Sequence, residues 1–292
     1  MSKNEFMDDK NKEKKCAVWK NWPLINRFYN PHGSVVCIRF SGVISDSTLT
    51  NKPSINYQRF HECIGKAFNT KNVKAVALVI NSPGGAPAQC SLIGDQIRDL
   101  AKEKNVPVYA FVEDVAASGG YWLACAADEI YVQGSSIVGS IGVIYSGFGF
   151  QNLIQKYGVE RRVHTAGENK SFMDPFLSED KDDVARLKDM QNDIHAAFKD
   201  WVRARREKKL LAEEKDIFEA QVFSGQKAVA NGLVDGVGRY ENVMKDKFGK
   251  NIKFKDATPE KKWSPLSLLK SSGVPDLLGS FYERYLWSRF GI

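Results

Sequence analysis

Largely apolar runs and amphipathic stretches alternate along the middle of the chain. Apolar runs occur at Val35–Phe40, Val73–Ile80 and Val106–Val112, and such runs are typical of strands buried in a parallel sheet. Between them, Tyr57–Phe68 and Leu92–Glu103 place apolar residues on one face at helical spacing. Strands that alternate with amphipathic helices predict an α/β fold with parallel pairing.

The second half of the chain predicts shorter strands and a longer helix. A short strand is expected at Glu129–Val132 and a helix at Phe150–Tyr157, separated by the Gly/Ser-rich segment Gly134–Gly149. A long helix is expected over residues 178–206, and a short helix capped by serine over residues 224–232. The α/β alternation therefore continues to the last third of the chain.

Composition is that of a globular protein. The chain has 292 residues, of which 43% are hydrophobic and 26% charged. These values exclude a collagen-like, coiled-coil or wholly disordered chain. The length suits one large domain or two small ones.

The net charge of +7 lies at the two ends of the chain. Residues 1–30 carry seven Lys/Arg and four Asp/Glu, and residues 250–292 carry eight and four. A nucleic-acid-binding domain would carry its basic face on the folded part, so we expect no nucleic-acid partner. The basic ends are either solvated tails or contacts to an anionic lipid surface.

Residue types that bind metals or redox cofactors are scattered. The five cysteines form no CxxC pair and the four histidines are dispersed, so we expect no disulfide framework, metal or cofactor. The polar start lacks the apolar region of a signal peptide, and apolar runs are far shorter than the roughly 20 residues of a membrane span. We expect a cytoplasmic location, with peripheral contact to the membrane face as an addition.

Two glycine-bearing turns each follow a strand and open a helix. They are Asn81-Ser-Pro-Gly-Gly85 and Ala116-Ala-Ser-Gly-Gly120, and neither has the pattern of a phosphate-binding loop. Helix N-termini present unpaired N–H groups, and glycine lets a substrate carbonyl approach closely. Side by side, these turns could direct the N–H groups of Gly84 or Gly85 and of Gly119 at one oxygen, as an oxyanion hole requires.

Ser118 stands directly before Gly119, where its hydroxyl could attack that carbonyl. A serine at this place is more often a simple N-cap. A nucleophilic hydroxyl also needs a base within hydrogen-bond reach. No histidine lies between His61 and His164, so a lysine is the candidate base.

A lysine acts as a base only when its amine is neutral, which requires burial away from anions. Lys156 and Lys181 lie in polar helical stretches, where a solvated amine is expected. Lys170 lies in a loop-like segment and is followed by apolar residues, which are Phe172, Met173 and Phe176. This setting favours Lys170.

The sequence resembles the signal peptide peptidase SppA/SohB family of serine peptidases, within the ClpP/crotonase superfamily. The resemblance rests on four segments in the family's order, covering roughly residues 34–245: Asn81–Gly85, Ala117–Tyr121, Gly139–Val143 and Gly167–Lys170. The sequence departs from the family pattern in two ways. Family members commonly have an N-terminal membrane helix, which is not seen here, and an aspartate often follows the lysine, where this chain has Ser171.

The resemblance implies a spiral α/β fold of repeated β-β-α units and a Ser–Lys dyad. Ser118 would be the nucleophile, Lys170 the general base, and Ser140 the group that orients the lysine amine. Gly84, Gly85 and Gly119 would supply the oxyanion N–H groups. It also implies a homo-oligomer with active sites near subunit interfaces, in which the lysine reaches a neighbour's serine.

Three segments follow from pattern and resemblance together. Residues 1–32 form a basic, aromatic arm, residues 33–245 the peptidase domain, and residues 246–292 a C-terminal helical extension. An amphipathic helix in this extension would place four residues on one face, namely Leu278, Phe281, Tyr285 and Leu286. That face would pack on the core, on a partner subunit or on a membrane surface.

The combined expectation is a serine endopeptidase that cleaves short apolar peptides, such as signal-peptide remnants, through an acyl-enzyme. Two alternatives remain open. A crotonase-like acyl-CoA enzyme would use the same oxyanion geometry but would need acidic groups, of which Glu113 and Asp114 lie near Ser118. A non-catalytic scaffold would bind peptides or membrane without turnover.

Overall fold

The computed structural model describes residues 32–46, 54–167, 169–206, 208–259 and 283–291. The strands are β1 (Ser34–Ser41), β2 (Val73–Ser82), β3 (Val108–Ala117), β4 (Glu129–Val132), β5 (Ile137–Gly139), β6 (Val222–Ser224), β7 (Gly236–Val237) and β8 (Lys253–Asp256). The helices are α1 (Tyr57–Phe68), α2 (Pro87–Lys104), α3 (Gly119–Ala124), α4 (Gln151–Lys156), α5 (Lys181–Arg206), α6 (Glu214–Ile217), α7 (Gly225–Ala230) and α8 (Tyr240–Phe248).

A largely parallel sheet forms the centre of the described structure. Its strand order is β6-β5-β3-β2-β1-β8, while β4 pairs with β3 and β7 pairs with β4. The β5–β6 pair is antiparallel and the other strand pairs are parallel. Helices connect the parallel strands, and the predicted α/β class is confirmed.

Both faces of the sheet are covered, which explains the continuous apolar run of β2. Val76, Leu78 and Ile80 point into the larger cluster under α1, α2 and α3. The alternate residues Ala75, Ala77 and Val79 point into a smaller cluster that includes Met244 of α8. A strand buried on both faces needs apolar residues at successive positions, not at alternate ones.

Strand β3 pairs with two strands along the same edge. Its first half, Tyr109–Phe111, pairs with β4, and its last residues, Val115–Ala117, pair with β5. In the neighbouring pair, Ser82 of β2 lies opposite Ala116. The carboxyl ends of β2, β3 and β5 therefore meet at one edge, where ligands bind in open α/β sheets.

Two elements differ from the sequence expectation near this edge. Helix α2 begins at Pro87, before the expected start at Leu92, because proline in the first turn needs no N–H partner. Strand β3 continues past the expected end at Val112, because its last residues gain a partner in β5. Strand β5 itself lies inside the Gly/Ser-rich segment, where no strand was expected.

The division into an arm, a peptidase domain and a C-terminal extension stays a prediction. Residues 1–31 lie outside the described residues, as do Leu278 and Phe281, two of the four residues of the expected C-terminal face. Residues 283–288 are helical. Strand β8 pairs with β1, so the sheet continues past residue 245. Within the described ranges, none of the helices has the length and apolar character needed to cross a membrane.

Helix α5 is buried most deeply along its last turns. Its buried residues are Phe198, Val202 and Arg206. The guanidinium of Arg206 lies 2.6 Å from Asp235 Oδ2 and donates to the carbonyl of Gly232 at 2.8 Å. Arg206 is 1% exposed, so this ion pair is a buried anchor for the helix.

Replacing Arg206 with methionine is expected to lower the free energy of unfolding by about 2 kcal/mol, because the buried Gly232 carbonyl and Asp235 Oδ2 lose a charged donor while Lys209 still pairs with Asp235 Oδ1. Urea denaturation of the variant and the wild-type chain measures this change in the free energy of unfolding. Arg203→Met on the same helix is the matched control, since Arg203 pairs with Asp200 and Glu214 at the surface and such pairs are worth about 1 kcal/mol or less. Equal losses for the two variants would contradict the anchor role.

Candidate active site

Ser118 directly follows β3 and Ser140 directly follows β5, and the ends of these two strands pair with each other. Ala117 lies opposite Gly139 in the parallel register, and the Ser118 N–H donates to the Gly139 carbonyl at 2.8 Å. The Ser140 N–H donates to the Gln221 carbonyl at 2.7 Å. The structure therefore brings together two of the predicted site residues, which are far apart in sequence.

The backbone of Ser118 is held in a conformation that L-residues rarely adopt. Its φ is 51° and its ψ is −120°, at the N-cap position of α3. Its side chain makes no capping hydrogen bond, so the simple N-cap role is wrong for this hydroxyl. Ser140 also has a positive φ, of 52°. Such strained positions cluster at active sites, where the surrounding structure maintains them.

Three glycines pack closely around Ser118. A Cβ atom on Gly84 would lie 2.8 Å from the nitrogen of Gly119 and 2.8 Å from Ser118 Cβ. A Cβ atom on Gly119 would lie 3.3 Å from the nitrogen of Gly85. The two glycine turns thus lie against each other, as an oxyanion hole would require.

Ser82 occupies one of the two glycine N–H groups in the turn Asn81–Gly85. Its hydroxyl oxygen accepts a hydrogen bond from the Gly84 N–H at 3.2 Å. Because the Gly84 N–H is engaged in this bond, the N–H groups of Gly85 and Gly119 are the favoured donors to a substrate oxygen. Sequence reasoning left Gly84 and Gly85 open and missed Ser82, although a serine before Pro-Gly commonly hydrogen-bonds a backbone N–H two residues on.

Cys90 of α2 lies directly beneath this region. A Cβ atom on Gly119 would lie 2.6 Å from its sulfur. Burial raises the pKa of the Cys90 thiol to about 12, and the thiol donates to the Ala86 carbonyl at 3.2 Å. Cys90 is therefore a packing group and not a rival nucleophile.

The two carboxylates that precede Ser118 are engaged elsewhere. Glu113 forms an ion pair with Arg39. Asp114 accepts a hydrogen bond from the Asn81 amide at 2.8 Å. Within the described residues, no group of three His, Cys, Asp or Glu side chains could hold a metal ion.

Lys170 is not joined to Ser118 within this one chain. Its side chain is exposed, and its backbone N–H donates to the Gly167 carbonyl at 3.2 Å. In the part of the chain that the structure describes, no hydrogen bond connects Lys170 with Ser118 or Ser140. Lys156 and Lys181 are exposed as well.

The segment between Ser140 and Lys170 carries exposed apolar side chains. Helix α4 within it has no buried residue. We call residues 144–159 the apolar projection; its exposed large hydrophobics are Ile144, Tyr145, Phe148, Phe150, Leu153, Tyr157 and Val159. Several exposed large apolar side chains along one short segment are typical of an interaction surface.

One further contact reaches the site from α5. The His195 ring nitrogen Nε2 lies 3.1 Å from the Ile141 carbonyl oxygen, so that nitrogen carries the proton in this contact. Ile141 follows Ser140 directly. Sequence reasoning considered the histidines as metal ligands and as a base for Ser118, and it missed this contact because the contact joins residues far apart in the chain.

Known proteins resemble this chain over most of its length. Residues 100–250, about half of the chain, match the model of peptidase family S49. A Brucella abortus protein named Na(+)/H(+) antiporter NhaA is 40% identical over 91% of this chain and 38% of its own length. The chain thus spans well under half of that relative.

Protease relatives match over a larger share of their length. A putative signal peptide peptidase SppA of Enterococcus faecium is 31% identical over 77% of this chain and 65% of its own length. A probable protease SohB of Haemophilus influenzae is 30% identical over 76% and 61%.

A solved structure of a mutant 1510-N membrane-bound stomatin-specific protease aligns with 78% of this chain and 99% of its own. Its TM-score is 0.49 at 15% identity. The resemblance to SppA and SohB proteins that the motifs predicted is confirmed by the sequence relatives, and the chain belongs to peptidase family S49.

Proposed function

We propose that this chain is a serine endopeptidase with Ser118 as nucleophile and Lys170 as general base. The observation that carries the proposal is the geometry of Ser118. Its hydroxyl is not used as a helix cap, its backbone is strained, and Gly84 and Gly119 lie against it. Because the chain belongs to a peptidase family, we interpret a serine in this geometry as the nucleophile that attacks the peptide bond.

In the first step, the neutral amine of Lys170 takes the proton of Ser118 Oγ as that oxygen attacks the peptide carbonyl. The carbonyl oxygen becomes negatively charged and accepts hydrogen bonds from the N–H groups of Gly85 and Gly119. Collapse of this intermediate breaks the C–N bond. The leaving amine takes the proton back from Lys170, and an ester remains on Ser118.

In the second step, water attacks the ester and Lys170 takes its proton. Collapse returns that proton to Ser118 Oγ and releases the carboxylic acid. Ser140, next to Ser118 at the strand ends, would accept a hydrogen bond from the lysine amine and orient its lone pair. No metal or redox cofactor takes part in these steps.

We propose that Lys170 acts as the base for Ser118 of a neighbouring copy of the chain. Lys170 is exposed and unconnected to Ser118 in one chain, while the apolar projection leading to it is uncovered. Packing this projection on a second copy would bury apolar surface and remove water from the lysine, which favours its neutral form. The active form would then be a homo-oligomer with its sites at subunit contacts.

The substrates proposed are short, extended, largely apolar peptides, such as signal-peptide remnants. The Enterococcus faecium relative is named as a putative signal peptide peptidase. A crotonase-like enzyme is disfavoured, because the nearby carboxylates of Glu113 and Asp114 are already bound to Arg39 and Asn81. A non-catalytic scaffold would not need a strained serine without a capping role.

A fluorophosphonate probe is expected to label the wild-type chain at Ser118, because a nucleophilic hydroxyl attacks its phosphorus and displaces fluoride. Peptide mapping by mass spectrometry locates the adduct. Ser118→Ala should remove the adduct, whereas Ser224→Ala should retain it, since Ser224 stands at the N-cap position of α7 away from the glycine turns.

Two results would contradict the proposal. Absence of an adduct together with absence of peptide hydrolysis would favour a scaffold. Turnover of an acyl-CoA without an adduct on Ser118 would favour the crotonase-like enzyme.

A further inference from the structure

The segment that carries Lys170 is folded into a defined series of turns. We call residues 169–177 the lysine loop. Its backbone bonds to itself within these turns; for example, the Asp174 N–H donates to the Ser171 carbonyl at 3.1 Å. The Lys170 side chain is exposed. Other side chains must therefore hold the loop in place.

Asp174 makes two side-chain contacts that close the lysine loop. Its Oδ1 accepts a hydrogen bond from the Phe176 N–H at 2.9 Å. Its Oδ2 accepts one from Arg161 Nη2 at 2.8 Å. The Arg161 hydrogen bond, aided by the Phe176 N–H, holds the pKa of the Asp174 carboxyl below its usual range. The ion pair with Arg161 is therefore formed at neutral pH.

The residues on both sides of α4 hold the same loop. The guanidinium carbon of Arg161, which follows α4, lies 5.7 Å from the centre of the Phe176 ring, within the reach of a cation–π contact. Phe150, which precedes α4, stacks on Phe176 with 5.6 Å between ring centres. The Phe150 N–H also donates to the Pro175 carbonyl at 2.6 Å. The loop is thus anchored to residues far from it in sequence.

The backbone next to Asp174 is strained. Met173 has a φ of 52°, and its N–H donates to Oδ2 of Asp183 at 3.2 Å. Asp183 lies in the first turn of α5. A side chain on α5 therefore helps to hold a conformation that methionine rarely adopts.

Backbone strain coincides with the proposed catalytic residues. Among the described residues, those with a positive φ that are neither glycine nor asparagine are Ser118, Ser140, Met173 and Ala220. The Ala220 N–H donates to the carbonyl of Ile141, which directly follows Ser140. Strained residues cluster at active sites, where the surrounding structure maintains them. The strain at Met173 therefore favours a catalytic position for the lysine loop over a passive connection.

A lysine base has to meet the serine hydroxyl at hydrogen-bond distance. Ordering the residues of a flexible loop costs conformational entropy. A loop that is already ordered avoids this cost when substrate binds, and small misplacements of a catalytic group are costly in rate. Contacts that fix the lysine loop should therefore be visible in kcat.

We propose that Asp174, paired with Arg161, is a positioning residue that holds the lysine loop where Lys170 can reach the hydroxyl of Ser118. This inference rests on the proposed role of Lys170 as the base and adds the residues that place its amine. It holds for a serine of the same chain and for one of a neighbouring copy.

The test measures kcat and KM of the full chain on a fluorogenic apolar peptide. In Asp174→Asn, Oδ1 still accepts from the Phe176 N–H, but an amide N–H₂ group faces Arg161 and the ion pair is lost. We expect kcat to fall about tenfold with KM unchanged, and about 10²-fold in Asp174→Ala, which loses both contacts. Fluorophosphonate labelling, followed to its end point, counts the intact sites, so kcat is expressed per site.

A double-variant comparison tests whether Asp174 acts through Arg161. Arg161→Met should lower kcat as much as Asp174→Asn does. The double variant should be no slower than either single variant, because all three lack the same ion pair. Losses that multiply would show that the two residues act independently, and would overturn the pair.

Glu214→Gln and Arg203→Met are the matched controls. They break an exposed ion pair, in which Arg203 Nε lies 2.8 Å from Glu214 Oε1. Arg203 lies about 30 Å along α5 from Asp183, at 1.5 Å per residue. Both control variants should keep the wild-type kcat and KM.

The outcomes separate this inference from the proposed function. If Lys170→Ala is inactive but Asp174→Asn and Arg161→Met keep the wild-type kcat, the positioning role is overturned and the base assignment stands. A fully active Lys170→Ala overturns both.

Light scattering and amide hydrogen exchange test the competing role in assembly. If Asp174→Asn loses kcat only because it no longer assembles, the ion pair stabilises a subunit contact and the positioning role is overturned. An unchanged assembly, a lower kcat and faster exchange confined to residues 169–177 support it.

Discussion

Replacing Lys170 with alanine is expected to lower peptide hydrolysis by roughly 10²–10⁴-fold, the contribution of a general base. The change removes the amine that takes the proton of Ser118, and it should lower kcat more than it alters KM. Initial rates on a fluorogenic apolar peptide measure it. Lys181→Ala is the control, because Lys181 is exposed on α5 outside the apolar projection and its replacement should leave the rate unchanged.

Mixing two inactive variants tests where the base comes from. If Lys170 acts on the serine of a neighbouring copy, subunits of Ser118→Ala and Lys170→Ala, dissociated and reassembled together, regain activity, because some contacts join an intact serine to an intact lysine. Each variant alone stays inactive. Full activity of Lys170→Ala at neutral pH would refute the base assignment, and inactive mixed assemblies would place the lysine within one subunit.

Replacing Gly84 with alanine is expected to lower kcat by roughly 10²–10³-fold, the cost of a lost oxyanion donor. The new methyl group would lie 2.8 Å from the Gly119 nitrogen and from Ser118 Cβ, so it would displace the donor and the nucleophile together. Steady-state kinetics on the same peptide, with circular dichroism to confirm folding, measure the effect.

Gly249→Ala is the matched control for Gly84→Ala. Gly249 has a φ of +92°, close to the +103° of Gly84, but a Cβ atom there would meet nothing within 4 Å. Both variants carry a similar backbone strain of about 1–3 kcal/mol, so a difference in kcat isolates crowding at the site. A Gly84→Ala variant with wild-type kcat would show that this turn does not hold the substrate oxygen.

Elements with strong local patterns were predictable from the sequence. Helix α1 occupies Tyr57–Phe68 as expected, because its apolar residues recur at helical spacing and Asn56 accepts a hydrogen bond from the Arg59 N–H. Strand β5 and the last residues of β3 were missed. These segments are rich in small residues and become strands because they pair with each other, which a local pattern does not report.

The candidate site was predictable to a different degree for each residue. Ser118 and its glycines follow from local turn chemistry. Lys170 was favoured by its loop setting and apolar neighbours before the family resemblance, whereas Ser140 followed only from the resemblance. The packing of Trp201 of α5 on Trp122 of α3 was not predicted, because it joins residues far apart in the chain.

The sequence by itself determined the α/β class, the two glycine turns and the serine between strand and helix, because these depend on hydrophobic periodicity and on backbone conformations that few residues can adopt. The tertiary structure alone decided that Ser140 lies beside Ser118, that the His195 ring meets the Ile141 carbonyl, and that Trp201 of α5 packs against Trp122 of α3. These are contacts between distant segments. Sheet register and helix packing set them, and no local pattern encodes either.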